Sequence, residues 1–124
     1  MGLDMYAYVA SKNSEGETTD ERELAYWRKH PNLHGWMEEL WKFKMAEKGE
    51  SIKDRTFNGI ELELTWQDLD ELEEDVKERK LPSTSGFFFG DDASDHYQAH
   101  DLEFVKNAKA ETFLGLRVFY NSSW

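Results

Sequence analysis

The chain contains 124 residues, and its 15 basic and 26 acidic side chains give a net charge of −11. This charge disfavours sequence-independent attraction to a phosphate backbone, so we do not expect nucleic acid as a direct partner. The chain has no cysteine, which excludes disulfides and thiolate metal sites and favours an intracellular protein. Its length fits one domain that buries a core of its own.

We expect no targeting or membrane-spanning segment. The first residues of the chain lack a basic region followed by a continuous apolar one, and no apolar run approaches the ~20 residues that span a bilayer. We therefore expect a cytoplasmic protein that does not enter a membrane.

The first part of the chain predicts a strand and then a helix. Apolar and polar side chains alternate over Leu3–Val9, which is typical of a strand with one face on a core. Thr19 or Asp20 can cap a helix that continues to Arg28. His30-Pro31 then interrupts this helix, because the residue before a proline avoids the helical region.

A second helix is predicted over about Pro31–Glu47. Proline suits its first turn, and Gly49 suits its end. Its broad apolar stripe indicates a central element of the core. The stripe consists of Leu33, Trp36, Met37, Leu40, Trp41 and Phe43.

The middle of the chain predicts a strand followed by an acidic helix. Ile60–Leu64 alternates aliphatic side chains with glutamates, and Thr65 and Asp68 have the spacing of a capping box for a helix that ends near Lys80. The buried stripe of this helix is predicted to be Trp66, Leu69, Leu72 and Val76. Nine acidic and three basic residues lie in Glu61–Lys80, which indicates either a solvated helix face or a surface that competes with nucleic acid for a basic protein.

The last part of the chain predicts a helix and a strand. Helical spacing of apolar residues extends from Ser94 or Ala99 to Glu111, and alternation returns over Leu116–Tyr120. Strands mixed with helices, without a regular repeat, predict an α+β fold over residues 1–124. We expect a single compact domain with a small, mainly antiparallel sheet of three to four strands packed against three to four helices.

Three consecutive phenylalanines between two glycines form the most unusual stretch, Ser83–Gly90. Neither a half-buried strand nor a surface helix has this pattern. The run either fills the core or walls a pocket. In a pocket, Ser85 and the backbone amides near Gly86 would hold a polar or anionic ligand edge beside Phe87, Phe88 and Phe89.

A second candidate cluster places cationic and hydrogen-bonding groups beside large aromatic rings at the predicted helix break. Its residues are Tyr26, Trp27, Arg28, Asn32, His34 and Trp36. Arg28 could hold an anion, His34 could titrate, and the rings could stack on a planar ligand. Alternatively, the tryptophans belong to the core and the cations are solvated.

Catalytic and metal-binding signals are weak. His96 and His100 are four residues apart near carboxylates, but the glutamate of a metalloprotease helix is missing, so no metal is expected. There is no nucleophile elbow, and we expect no cofactor. An acid–base pair of His34 and Asp101 is geometrically possible, which makes Asp101 a further candidate site residue.

Several motifs together resemble those of a family of small uncharacterised bacteriophage and prophage proteins, along nearly the whole chain. They are Met1–Tyr6, Tyr26–Lys29, Asn32–Trp36, Leu81-Pro82 with Ser85–Gly90, Asp101-Leu102, Phe119-Tyr120 and Ser122–Trp124. Some members carry the label phosphoglycerate kinase. This chain has no glycine-rich phosphate loop followed by lysine and is too short for a two-domain kinase. It departs from the family pattern at His96 and His100.

The resemblance implies a phage-type accessory protein that acts in the host bacterial cytoplasm, in host takeover or anti-defence. Together with the aromatic and basic cluster, it favours a non-catalytic protein that sequesters a nucleotide-like small molecule or a host factor. One alternative is an acidic protein–protein inhibitor of a host nucleic-acid-binding enzyme. A second is a small hydrolase that uses His34 and a carboxylate. The oligomeric state is left open.

Overall fold

A computed structural model describes residues 3–12, 15, 18–28, 30–53, 55–81 and 94–124. Within these ranges the elements are β1 (Asp4–Lys12), β2 (Thr18–Arg28), α1 (Pro31–Glu47), β3 (Leu62–Leu64), α2 (Trp66–Lys77), α3 (Ser94–Phe113) and β4 (Arg117–Ser123). The strands form one antiparallel sheet in the order β2-β1-β4-β3. This architecture confirms the predicted α+β fold. No helix in the described part of the chain has the length and apolar character of a membrane span.

The core lies between one face of the sheet and the three helices. Met5, Ala7 and Val9 are buried on this inner face, as the alternation of the first strand predicts. They belong to one cluster with Leu33, Met37 and Trp41 of α1, Leu69, Leu72 and Val76 of α2, and Phe104, Val105 and Ala108 of α3. Each fully buried large side chain of this kind contributes about 1.5–3 kcal/mol to folding.

The helix predicted from Thr19 or Asp20 to Arg28 is wrong, because this segment is strand β2. Ala25 and Trp27 are buried, whereas Tyr26 is exposed, so the local period is two and not 3.6. Trp27 lies opposite Met5 of β1 in the ladder. Pairing with β1 gives the backbone groups of β2 hydrogen-bond partners and buries the indole of Trp27. Together these gains outweigh the helical preference of the acidic residues at the start of β2.

The two following helices largely match the sequence, except that Phe43, predicted in the apolar stripe of α1, is 61% exposed. Helix α1 has the predicted bounds, and Thr65 and Asp68 form the predicted capping box of α2. Two details of α2 are corrected: it ends at Lys77, and Trp66 is 48% exposed instead of buried. Trp66 is the first helical residue, and its ring faces the ammonium group of Lys109 at 5.2 Å.

The remaining elements differ mainly at their ends. The predicted strand Ile60–Leu64 is shorter, because β3 covers Leu62–Leu64, and α3 extends from Ser94 to Phe113. The predicted strand Leu116–Tyr120 is displaced along the chain to Arg117–Ser123. In β4, Phe119 lies on the outer face of the sheet yet is buried, since the ring of Tyr8 stacks on it at 5.5 Å.

Candidate functional site

Strand β2 divides the predicted aromatic and basic cluster between the two faces of the sheet. Trp27 points into the core, while Tyr26 and Arg28 are exposed on the opposite face. On a regular strand, neighbouring side chains point to opposite faces of the sheet. The cluster expected from the sequence is therefore two separate groups.

The inner group is built around the buried carboxylate of Asp101. Trp27 Nε1 donates a hydrogen bond to Asp101 Oδ1 at 2.8 Å, and His30 Nε2 lies 2.7 Å from Asp101 Oδ2. The side chains of His30 and Asp101 are 0% and 1% exposed. The His30 ring also stacks on Tyr97 at 4.9 Å. These contacts attach the end of β2 and the start of α1 to α3.

His30 is not among the site residues predicted from the sequence, where it indicates only a helix break. Its contact with Asp101 joins residues 71 positions apart, so no local pattern could have indicated it.

His34 lies elsewhere in the core, on the first turns of α1. Its Nδ1 atom lies 2.8 Å from the hydroxyl oxygen of Tyr120, and its ring centroid lies 5.3 Å from that of Phe57. Burial lowers the pKa of His34 from 6.5 to about 4 and raises the pKa of Tyr120. Both groups are therefore neutral near pH 7, and the acid–base pair predicted for His34 and Asp101 is not formed by these hydrogen bonds.

The other predicted site residues lie in different places. Asn32 is buried at the start of α1, and Trp36 Nε1 donates to Asp75 Oδ2 of α2 at 2.8 Å. Ser85, Gly86 and the three phenylalanines Phe87, Phe88 and Phe89 lie outside the described residues.

The outer face of the sheet carries three tyrosines, Tyr6, Tyr8 and Tyr26, which we call the tyrosine face. Tyr6 and Tyr26 are 37% and 40% exposed, and their ring centroids are 5.1 Å apart. The three helices pack on the inner face, so no described helix covers these rings. Sequence reasoning missed Tyr6 and Tyr8, although both occupy outward positions of the predicted strand Leu3–Val9.

Hydrogen bonds from their hydroxyls hold two of the three rings of the tyrosine face, Tyr26 and Tyr8, in position. Tyr26 donates to Asp4 Oδ1 at 2.7 Å, and this bond raises the pKa of Tyr26. Tyr8 donates to Glu61 Oε2 at 2.5 Å, and burial together with this carboxylate raises the pKa of Tyr8. Both phenols therefore stay protonated at neutral pH.

The tyrosine face borders an open depression of about 620 Å³. A larger depression, of about 820 Å³, lies elsewhere on the molecule. The smaller depression is lined by Tyr6, Tyr8, Glu21, Arg22, Glu23, Gly59, Asn121, Ser122 and Ser123. Its volume lies within the usual range for small-molecule sites, roughly 300–1,000 Å³. Arg28 lies beyond Tyr26, where its guanidinium is 3.5 Å from Asp4 and remains largely exposed.

Among the described side chains, no group of three or more histidines and carboxylates could hold a metal ion. The side chain of His96 lies outside that description. His100 Nε2 lies 3.1 Å from the carbonyl oxygen of Tyr26, and its ring meets Trp27 edge-on.

Comparisons with protein-family models, curated proteins and solved structures found no match for this chain.

Proposed function

We propose that the chain is a non-catalytic binding protein that holds a planar, nucleoside-like molecule against the tyrosine face. The observation that carries this proposal is the pair of exposed, mutually contacting rings of Tyr6 and Tyr26, of which Tyr6 lines a depression of about 620 Å³. Stacking of a base on an aromatic side chain contributes about 1–3 kcal/mol. Stacking on these two rings would contribute on this scale to the affinity for a small ligand.

The polar groups around the rings favour a single nucleoside or nucleotide over a nucleic acid strand. Asn121 and Ser123 line the depression and offer hydrogen bonds. Arg28 does not line it, but its largely exposed guanidinium, 3.5 Å from Asp4, offers a charge to one phosphate on the side of Tyr26. Glu21 and Glu23 line the same depression and would repel a continuous phosphate backbone.

The biological role that fits such binding is sequestration of a nucleotide-like molecule in a host bacterium. This part of the proposal relies on the resemblance to phage and prophage proteins, which implies an accessory role in host takeover or anti-defence. A protein without turnover can act in this way because it needs only affinity and sufficient copies.

A panel of nucleosides, mononucleotides and cyclic dinucleotides tests the proposal by thermal shift. A ligand at 100 times its dissociation constant should stabilise the fold by about 2.7 kcal/mol. Tyr6→Ala and Tyr26→Ala should each weaken binding about tenfold or more, as expected for a lost stacking contact. Phe113→Ala removes another exposed ring and should leave binding unchanged.

The proposal is wrong if no member of the panel stabilises the protein. It is equally wrong if the two tyrosine variants bind a hit as tightly as the Phe113→Ala control.

We do not propose the hydrolase that the sequence left open. The carboxylate of Asp101 accepts a hydrogen bond from Trp27 and contacts His30, and this cluster is fully buried. The acidic protein–protein inhibitor is supported by a different observation, the groove beside α2.

A further inference from the structure

Helices α1 and α2 border an open groove on the side of the molecule away from the sheet's tyrosine face. The helices run antiparallel, and a side-chain contact connects them at each end. Trp36 Nε1 donates a hydrogen bond to Asp75 at 2.8 Å, and Lys44 Nζ lies 2.6 Å from Asp68 Oδ2. The space between them is about 820 Å³. Its walls are two helices whose inner residues belong to the core cluster.

The floor of the groove is apolar. Trp36, Leu40 and Phe43 lie along one side of α1 and all line it. Phe43 is 61% exposed, which is unusual for a phenylalanine in a helix whose other face is buried. The three residues extend over about 10 Å of helix, the length of two turns.

The rim of the groove is acidic. Glu39, Glu47 and Glu71 line it, and its single lysine, Lys44, is already paired with Asp68. Within the described part of the chain, Glu47 and Glu71 form no ion pair. The acidic surface continues along α2 into a second depression, lined by Gln67, Asp70, Glu71, Glu73, Glu74, Lys77 and Glu78.

We infer that this groove docks a basic amphipathic helix of a partner protein. Apolar side chains on one face of such a helix would cover Trp36, Leu40 and Phe43, while lysines or arginines on its flanks would meet the acidic rim. A second copy of this chain does not fit, because it would bring acidic rims together. This inference is independent of the proposed ligand site, since the two surfaces share no residue.

Labelled model peptides test the inference by fluorescence anisotropy. The probe is a lysine-rich amphipathic peptide about 14 residues long, with leucines at helical spacing. One control peptide carries glutamate in place of lysine. The other has the same composition in scrambled order, which removes the apolar face but keeps the charge.

The lysine-rich peptide should bind in preference to both controls, and its affinity should fall as salt screens the charges. Phe43→Ala should weaken binding about tenfold through the lost apolar contact. Glu71→Lys should weaken it similarly and reduce the salt dependence. Glu103→Lys makes the same charge change at an exposed site on α3 and should have a much smaller effect, as should Tyr6→Ala on the tyrosine face.

Equal binding of the scrambled peptide would show a non-specific charge effect and overturn the inference. So would unchanged affinity of Phe43→Ala, absence of binding by the lysine-rich peptide, or self-association through this face in analytical ultracentrifugation. Phe43 and Glu71 are exposed, so their variants are expected to fold.

Discussion

Buried polar side chains connect distant parts of this protein. The two carboxylate oxygens of Asp101 form hydrogen bonds with Trp27 and His30. His34 forms a hydrogen bond with the hydroxyl of Tyr120. A buried polar group without such a partner costs about 1–3 kcal/mol. These contacts therefore favour one specific packing of β2, α1, α3 and β4, and they explain why several predicted ligand-binding residues are buried.

The pH dependence of stability should report the burial of His34. Its pKa is about 4 in the folded protein and ordinary in the unfolded chain, so the unfolded state binds more protons between these values. The stability contributed by neutral His34 is fully present above pH ~6.5 and is lost as pH falls towards 4, a loss of about 3 kcal/mol.

Urea unfolding of the wild type and of His34→Gln between pH 7 and pH 4 measures this loss. The variant lacks the titrating group, so its stability should fall less steeply over the same interval. Identical pH slopes for the two proteins would contradict the assignment.

At the scale of the helix, all three described helices end in the same hydrogen-bonded motif. The amide of Glu50 donates to Met45 after α1, and the amide of Lys80 donates to Asp75 after α2. Gly49 has the positive φ of +71° that this motif requires. At the matching position of α2 the residue is Arg79, with φ +57°. An arginine in this conformation is strained because its Cβ crowds the backbone.

Replacing Arg79 by glycine should therefore stabilise the protein by about 0.5–1 kcal/mol. The exposed hydrogen bond from Arg79 to Gln98, at 3.3 Å, is one of the contacts that the substitution removes. Chemical denaturation measures the change.

Gly49→Ala provides the converse substitution at the end of α1. It should destabilise the protein by about 1 kcal/mol, because alanine is strained at a positive φ. Nothing lies within 4 Å of a Cβ added at Gly49, so the effect would be purely conformational. A loss of stability in Arg79→Gly would contradict the strain that we assign to Arg79 in the preceding prediction.

Strand β2 shows how element type can escape sequence analysis. Acidic residues after Thr19 favour a helix start, and the alternation of Ala25, Tyr26, Trp27 and Arg28 is too short to overrule it alone. Pairing with β1 makes this segment a strand. The β1–β2 ladder includes two irregularities, between Ala7 and Tyr8 and between Val9 and Ser11. Such pairing is a non-local interaction that helix-capping rules do not contain.

At the scale of the whole molecule, the charge is both high and unevenly distributed. The net charge is −11, and many of the acidic side chains lie on the exposed side of α2. The resulting self-repulsion destabilises the compact state. The charge also underlies the preference for a basic partner that we propose for the α1–α2 groove.

Added salt should therefore raise the stability of the isolated protein. Screening shortens the Debye length from ~30 Å at 0.01 M to ~8 Å at 0.15 M, and we expect a gain on the order of 1 kcal/mol. Thermal unfolding at increasing sodium chloride measures it. The variant Glu71→Gln/Glu74→Gln has a smaller negative charge and should respond less. A fall in stability with salt would contradict this account.

The sequence by itself determined the α+β class, strand β1, the bounds of α1 and the capping box of α2. Each depends on neighbours within one or two turns or on a clear period of two. Only the tertiary structure decided that β2 is a strand, that Tyr26 and Arg28 face away from Trp27, and that Asp101 meets His30. It also revealed the tyrosine face and the α1–α2 groove. These features depend on pairing and packing between residues far apart in the chain, where a local pattern carries no information about its partner.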